Sequence, residues 1–190
     1  MRSLKIGFGI CGSFCTFEKV FPVLRQLKDD GHDILPIMSK TAFSTDTRFG
    51  KSQEINRKIT EICEKEIIHE LSQAEPIGPK KLLDIMVVAP CTGNTLGKLA
   101  CGITDTPVTL AVKAHLRNAR PVLIAVSTND ALSGSAQNIG RLLNTKNIFF
   151  VPMRQDDFMQ KPTSVVADFS KIKEALENAV QGKQLQPIFL

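Results

Sequence analysis

The chain has 190 residues, 43% hydrophobic and 23% charged, with a formal net charge of +5. That is the mixture of one globular domain, read as residues 1–190, large enough for a core on both sides of a sheet. No apolar run approaches the roughly 20 residues of a membrane span, and the scattered basic residues lack the clustering of a nucleic-acid surface, so neither membrane nor nucleic acid is expected as a partner. Arg2 and Lys5 precede glycine-rich strand sequence rather than a signal-peptide core, which places the chain in the cytoplasm. Cys11, Cys15, Cys63, Cys91 and Cys101 contain no C-x-x-C pair, and His32, His69 and His115 are not spaced with them as metal ligands. Reduced thiols and no metal site are expected.

Residues 4–10 read as the first strand. Gly7-Phe8-Gly9-Ile10-Cys11-Gly12 fits G-x-G-x-x-G, a dinucleotide fingerprint. That fingerprint also wants a carboxylate at the end of the second strand. Here the second strand, 33–38, ends in Ser39-Lys40-Thr41, where Lys40 would serve a 2′-phosphate. In the other, preferred reading Gly7 lies inside the strand and residues 9–13 form the turn. Ser13 Oγ and nearby backbone N–H groups then hold one terminal phosphate, as a mononucleotide such as FMN presents it. A helix is expected over 16–30, with Phe17, Val20, Phe21, Leu24 and Leu27 as its apolar stripe and Gly31 as its stop. Pro22 predicts a late start or a kink.

Residues 40–51 read as a polar loop, 52–65 as a helix and 66–71 as a short third strand. His69 there reads as a surface or half-buried histidine rather than a base. Glu75-Pro76-Ile77-Gly78-Pro79 is a rigid turn, and 80–83 a short helical piece. Ile85-Met86-Val87-Val88 is then a central strand buried on both faces. It leads through a tight polar turn into a helix carrying Leu96, Leu99 and Ala100. In an open α/β sheet ligands bind outside the carboxyl ends of the strands. The first N–H groups of this helix, with Thr92, Asn94 and Thr95, suit an anionic or carbonyl-rich ligand. The plainer alternative is that Thr92 or Asn94 only caps the helix.

A further helix is expected over 108–118 and a fifth strand over 121–126. That strand ends in a second polar cluster, Ser127-Thr128-Asn129-Asp130. A helix over 133–143, a sixth strand over 147–152 and a closing helix over 165–180 complete the pattern. Asp156 and Asp157 read as loop caps. Strands alternating with helices predict an α/β fold, Rossmann-like, in three α/β/α layers around a mostly parallel sheet.

With these residues in view, the chain resembles the flavoprotein family of homo-oligomeric flavin-containing cysteine decarboxylases. Residues 9–13 match, with Lys19 beyond. Pro90-Cys91-Thr92-Gly93-Asn94-Thr95 looks like the family's Pro-Ala-Ser-Ala-Asn-Thr, and Lys98, Ala100, Gly102 and Asp105 continue it. The resemblance implies an FMN site, strand order 3-2-1-4-5-6, and trimer-based assembly with FMN near an interface between protomers. Carried over by position, it implies Gly12 and Ser13 at the flavin phosphate with Ser39 close by. It implies Pro90, Cys91 and Thr92 near the isoalloxazine, Asn94 on a substrate carboxylate or flavin carbonyl, and Thr95 as part of the same cofactor-binding set.

Two departures from the decarboxylases point away from cysteine decarboxylation. A few residues before the central strand, where they carry a His, stands Glu75-Pro76-Ile77-Gly78-Pro79 with none, and Val126-Ser127-Thr128-Asn129-Asp130 stands where they carry Pro-x-Met-Asn. These variants, with Glu75-Pro76-Ile77-Gly78-Pro79-Lys80-Lys81 and Phe150-Val151-Pro152-Met153-Arg154-Gln155-Asp156-Asp157, resemble the branch formed by dipicolinate synthase B subunits. That branch implies an oxidoreductase working with the A subunit of dipicolinate synthase, which carries NAD(P). Together they oxidise dihydrodipicolinate, or its hydrated precursor, to pyridine-2,6-dicarboxylate in the mother cell of a sporulating bacterium. Candidate donors to the dicarboxylate are Asn94, Lys98, Lys40, Thr128 and Asn129; no proton-transfer residue is identified. The alternatives are a non-catalytic assembly subunit that holds nucleotide or phosphate, an FMN-dependent decarboxylase-like enzyme, and an NADP-dependent reductase built on Gly7, Gly9, Gly12 and Lys40.

Overall fold

A strand apolar along most of its length must be covered on both faces, and the parallel strands of the sheet are of this kind. The computed structural model describes residues 3–190; Arg2 lies outside them. Strands β1 (Lys5–Ile10), β2 (Asp33–Met38), β3 (Ile85–Cys91), β4 (Val122–Thr128) and β5 (Ile148–Phe150) are parallel and lie in the order β2-β1-β3-β4-β5. Beyond β2, Ile37 and Ile68 form a single parallel bridge. The expected order 3-2-1-4-5-6 therefore holds, with its third strand reduced to one residue pair. Buried Ile67 and half-buried Ile68 are flanked by Glu66 on one side and by His69 and Glu70 on the other, so no longer ladder forms.

Side chains alternate across a strand. In β3, Ile85, Val87 and Ala89 join the core under α1 (Phe17–Asp29), α3 (Ser52–Cys63) and α8 (Ile172–Val180). Met86 and Val88 join the opposite core under α5 (Gly93–Cys101), α6 (Pro107–Leu116) and α7 (Ala136–Leu143). Among the described residues no helix is long and apolar enough to cross a membrane.

Several local expectations give way. Helix α1 starts at Phe17, after a 3-10 turn at Phe14–Thr16, and continues without a break through Pro22. The carbonyl that Pro22 cannot serve belongs to exposed Glu18, where water can take the missing bond. Residues 40–44 form a short helix, α2 (Lys40–Ser44), because Ser39 caps it by accepting from Ala42 N at 3.2 Å. Residues 71–74 form a further short helix, α4 (Leu71–Ala74), and residues 80–83 form a turn, with Lys81 in the left-handed region at φ 49. The closing helix is shorter than expected: Val165–Ala167 is strand β7, and α8 starts only at Ile172. Strand β7 pairs antiparallel with β6 (Met153–Gln155) and with the last residues of β4. The break falls at Asp168, whose side chain accepts from Ser170 N and starts a new 3-10 turn.

Candidate functional site

The chain leaves β1 for β2 on one side and returns with β3 on the other, so the crevice outside β1 and β3 is the topological switch point. A cleft of about 920 Å³ opens there, across the carboxyl ends of β1, β3 and β4. Its size suits a cofactor or small ligand.

The turn after β1 supplies one wall. Cys11 N bonds Pro90 O at 3.2 Å and Ser13 N bonds Cys11 O at 2.8 Å, which reverses the chain over the end of β3. Ser13 Oγ lies 2.8 Å from Ser127 Oγ, so two hydroxyls join the ends of β1 and β4. The amides of Gly12, Phe14 and Cys15 have no protein partner among the described residues. Lys19 also lines this wall and has no ion-pair partner there.

The turn after β3 supplies the floor. Thr92 caps α5, its Oγ1 accepting from Thr95 N at 3.4 Å, while the side chain of Asn94 enters the cleft with no hydrogen bond among the described residues. Gly93 is required by close approach. A Cβ there would stand 2.5 Å from Asp130 Oδ1, 2.7 Å from Ser135 Oγ and 2.8 Å from Thr128 Oγ1.

The turn after β4 supplies the third side. Thr128 Oγ1 donates to Asp130 Oδ1 at 2.6 Å and Ser135 Oγ donates to Asp130 Oδ2 at 2.9 Å. These donors, Thr128 first, hold the Asp130 carboxyl below the usual carboxylate range. The β6–β7 hairpin closes the rim with Ser164, Val165, Val166 and the Lys161–Asp156 ion pair at 2.8 Å. Asp157 Oδ1 accepts from Met159 N and Gln160 N, the geometry of a loop cap.

Of the residues singled out from sequence, Gly12, Ser13, Thr92, Asn94, Thr128 and Asn129 converge on this cleft. The others lie elsewhere. Ser39 caps α2 and Lys40 is exposed on it, outside the cleft. Pro90, Cys91 and Thr95 are buried beneath the floor, where Thr95 Oγ1 donates to Cys11 Sγ at 3.3 Å. Burial pushes the Cys11 thiol up to about 11 and raises the Cys91 thiol well above the usual thiol range, so both are unreactive. Lys98 Nζ holds both oxygens of Asp105 at 2.8 Å. Ser127, Gly93, Asp130 and Lys161 line the cleft and Ser135, outside the lining, supports Asp130, yet sequence reasoning gives none of them an individual part. The polar run after β4 is the available signal for Asp130; its partner Ser135 lies in the next turn.

The histidines stand apart from the cleft. His32 Nδ1 accepts from Leu4 N at 3.3 Å, His69 stacks on Phe43 at 3.9 Å, and His115 is buried at the other end of the sheet. Among the described residues no three His, Cys, Asp or Glu side chains are grouped to hold a metal.

The family model described as Flavoprotein matches residues 1–180 of the chain. The dipicolinate synthase B subunit of Bacillus subtilis (strain 168) is 46% identical over 190 residues, which is 100% of this chain and 95% of that protein. The crystal structure of the dipicolinate synthase B subunit from Bacillus halodurans C is similar at a TM-score of 0.91 and 44% identity, over 98% of this chain and 96% of that one. The FMN-dependent cysteine decarboxylase SpaF shares the fold at a TM-score of 0.65 and 22% identity, over 93% of this chain and 97% of its own.

Proposed function

The chain belongs to the flavoprotein family, and from that membership we propose that it binds FMN in the cleft and serves as the B subunit of a dipicolinate synthase. The observation that carries the reading is the convergence at the switch point. Open amides at Gly12, Phe14 and Cys15, the paired hydroxyls of Ser13 and Ser127, and Lys19, which has no ion-pair partner among the described residues, meet at one end of the cleft. That donor set fits a phosphate dianion. The uncommitted side-chain amides of Asn94 and Asn129 lie further along and fit the carbonyls of a flavin or the carboxylates of a small diacid.

Aromatising a dihydropyridine removes one hydride and one proton, and a bound flavin supplies a hydride acceptor. The chain's own residues bind and orient. Gly12, Ser13 and Ser127 hold the phosphate; Thr92 and Asn94 border the reacting ring. Dicarboxylate recognition falls to Asn94 and Asn129, because Thr128 is engaged by Asp130, Lys98 by Asp105, and Lys40 stands outside the cleft. The A subunit of the synthase, which would carry NAD(P), is the partner this reading assigns, in the cytoplasm of the mother cell of a sporulating bacterium. A homo-oligomer, trimer-based, completes the assembly.

The absence of any histidine from the lining favours a second reading, in which the chain only binds and positions while its partner does the chemistry. Reconstitution separates the two. With dihydrodipicolinate as substrate and FMN present, we expect turnover from the two proteins together. Full-rate turnover by the isolated A subunit would make this chain dispensable and defeat the redox reading.

A further inference from the structure

One negative charge in the cleft has no counterpart among the described residues. Asp156 is neutralised by Lys161, but Asp130 has no cationic partner among the described residues. Its carboxylate lines the wall beside Gly93 and Asn94. Each oxygen already accepts one hydroxyl, from Thr128 and from Ser135. An ionised carboxylate offers about four lone-pair sites, so acceptor capacity remains. Gly93 is the residue that allows this placement, since any side chain there would meet the carboxylate.

An acceptor-only anion facing a cleft that takes a dianionic ligand is repulsive unless the ligand brings a hydrogen to it. The reactant and product differ in that respect. A dihydropyridine has a ring N–H in its enamine tautomer or when protonated, and the hydrated precursor has a ring O–H. The aromatic product, with both carboxylates ionised, has neither. Its ring nitrogen is itself an acceptor.

We propose that Asp130 is a specificity-determining residue of the cleft, which accepts a hydrogen bond from the ring N–H or O–H of the reduced or hydrated substrate and disfavours the aromatic product. The inference rests on the dicarboxylate reading above. It gives the site a built-in bias toward product release: the hydrogen that holds the reactant is the one the reaction removes. A site built around a hydrogen bond discriminates against a ligand that lacks the hydrogen, because the half-buried Asp130 carboxylate is then left facing an acceptor.

The test is equilibrium dialysis of dipicolinate against the full chain, with and without FMN, for wild type, Asp130→Asn and Ser135→Ala. Asn keeps the shape, removes the charge and adds a donor for the ring nitrogen. We expect Asp130→Asn to bind dipicolinate at least about tenfold more tightly than wild type, with FMN affinity equal in the two. Ser135→Ala, which loosens the turn but leaves the charge, is expected to bind dipicolinate as wild type does. Equal or weaker binding by Asp130→Asn overturns the proposal and leaves the site reading intact. A tightening shared by Ser135→Ala also overturns it, by assigning the effect to the turn. No dipicolinate binding by any variant, with or without FMN, overturns the site reading and this inference together.

Discussion

The two ends of the sheet use similar side chains to opposite purposes. At the amino end, Lys5 N donates to Asp84 Oδ2 at 2.8 Å, Arg120 Nη1 donates to the carbonyls of Lys81 and Leu83, and Asn118 Nδ2 reaches Gly78 O at 3.0 Å. Those polar groups are engaged with the backbone. At the carboxyl end, Asn94 and Asn129 keep uncommitted amides, and the turn after β1 presents open N–H groups. Residue type therefore does not mark the site; unmet hydrogen-bonding capacity at the switch point does. Ser39 makes the same point within the carboxyl end. It stands at a strand terminus like Thr92, but off the cleft its hydroxyl serves only as a cap.

The sharpest way to break this contrast is a pair of glycine substitutions. Gly93→Ala places a Cβ against the Thr128–Asp130–Ser135 cluster, and Gly78→Ala places one 2.8 Å from Ala114 Cβ at the amino end. Both are expected to lower stability by about 1–3 kcal/mol through overpacking, read as shifts in thermal unfolding. Only Gly93→Ala is expected to abolish FMN retention after desalting, measured well below either melting temperature. Retention by Gly93→Ala would show that the floor of the cleft is not the binding surface.

Acid stability separates the ends next. Burial, then the nearby Arg120 charge, presses the His115 imidazole down to about 4, and its Nε2 has no hydrogen-bond partner among the described residues. The folded state thus favours neutral histidine, whose unfolded pKa is about 6.5. Its contribution is fully present above that value and is lost as pH falls from about 6.5 toward 4. Asp130, held below the usual range by hydroxyl donors, contributes above its ordinary pKa and loses that contribution only as pH falls through the lower folded value. Denaturant titrations across pH are expected to show the first loss flattened in His115→Leu and unchanged in Asp130→Asn. An unchanged slope in His115→Leu would remove the buried histidine as the cause.

A smaller effect is expected at Ser39. Ser39→Ala removes the cap of α2 at a cost of about 1 kcal/mol, seen in the denaturation midpoint, with FMN affinity unaltered. Weakened FMN binding would bring Ser39 back to the phosphate. Smallest of all is Lys98→Ala. The Lys98–Asp105 pair is partly exposed, so its loss is expected to change stability by less than about 1 kcal/mol, again without effect on FMN retention.

Much of this architecture is legible from local pattern. Apolar runs such as Ile85-Met86-Val87-Val88 locate the buried strands, and the polar turns after them locate the ligand side of the sheet. Local pattern fails where two periods coincide. Val165-Val166-Ala167 is as compatible with a helix as with a strand, and only pairing with Ser127 and Thr128 decides it. Lys98 reads as a ligand donor because its partner Asp105 lies beyond the reversal at Gly102, which sits at φ 71 and turns the chain back. The carboxylate cluster around Gly93 is invisible in sequence for the same reason: Thr128, Asp130 and Ser135 reach it only across the β3–β4 pairing.

The most direct test of the account is the visible spectrum of the chain after mixing with FMN and desalting, for wild type and Ser13→Asp. The protein has no Trp or Tyr, so a bound flavin dominates its near-UV absorbance as well. A flavin band retained by wild type and lost in Ser13→Asp, where a carboxylate would face the phosphate, is the predicted result. A band equally retained by both, or absent from wild type at any FMN concentration, would contradict the assignment of the switch-point cleft as a flavin site.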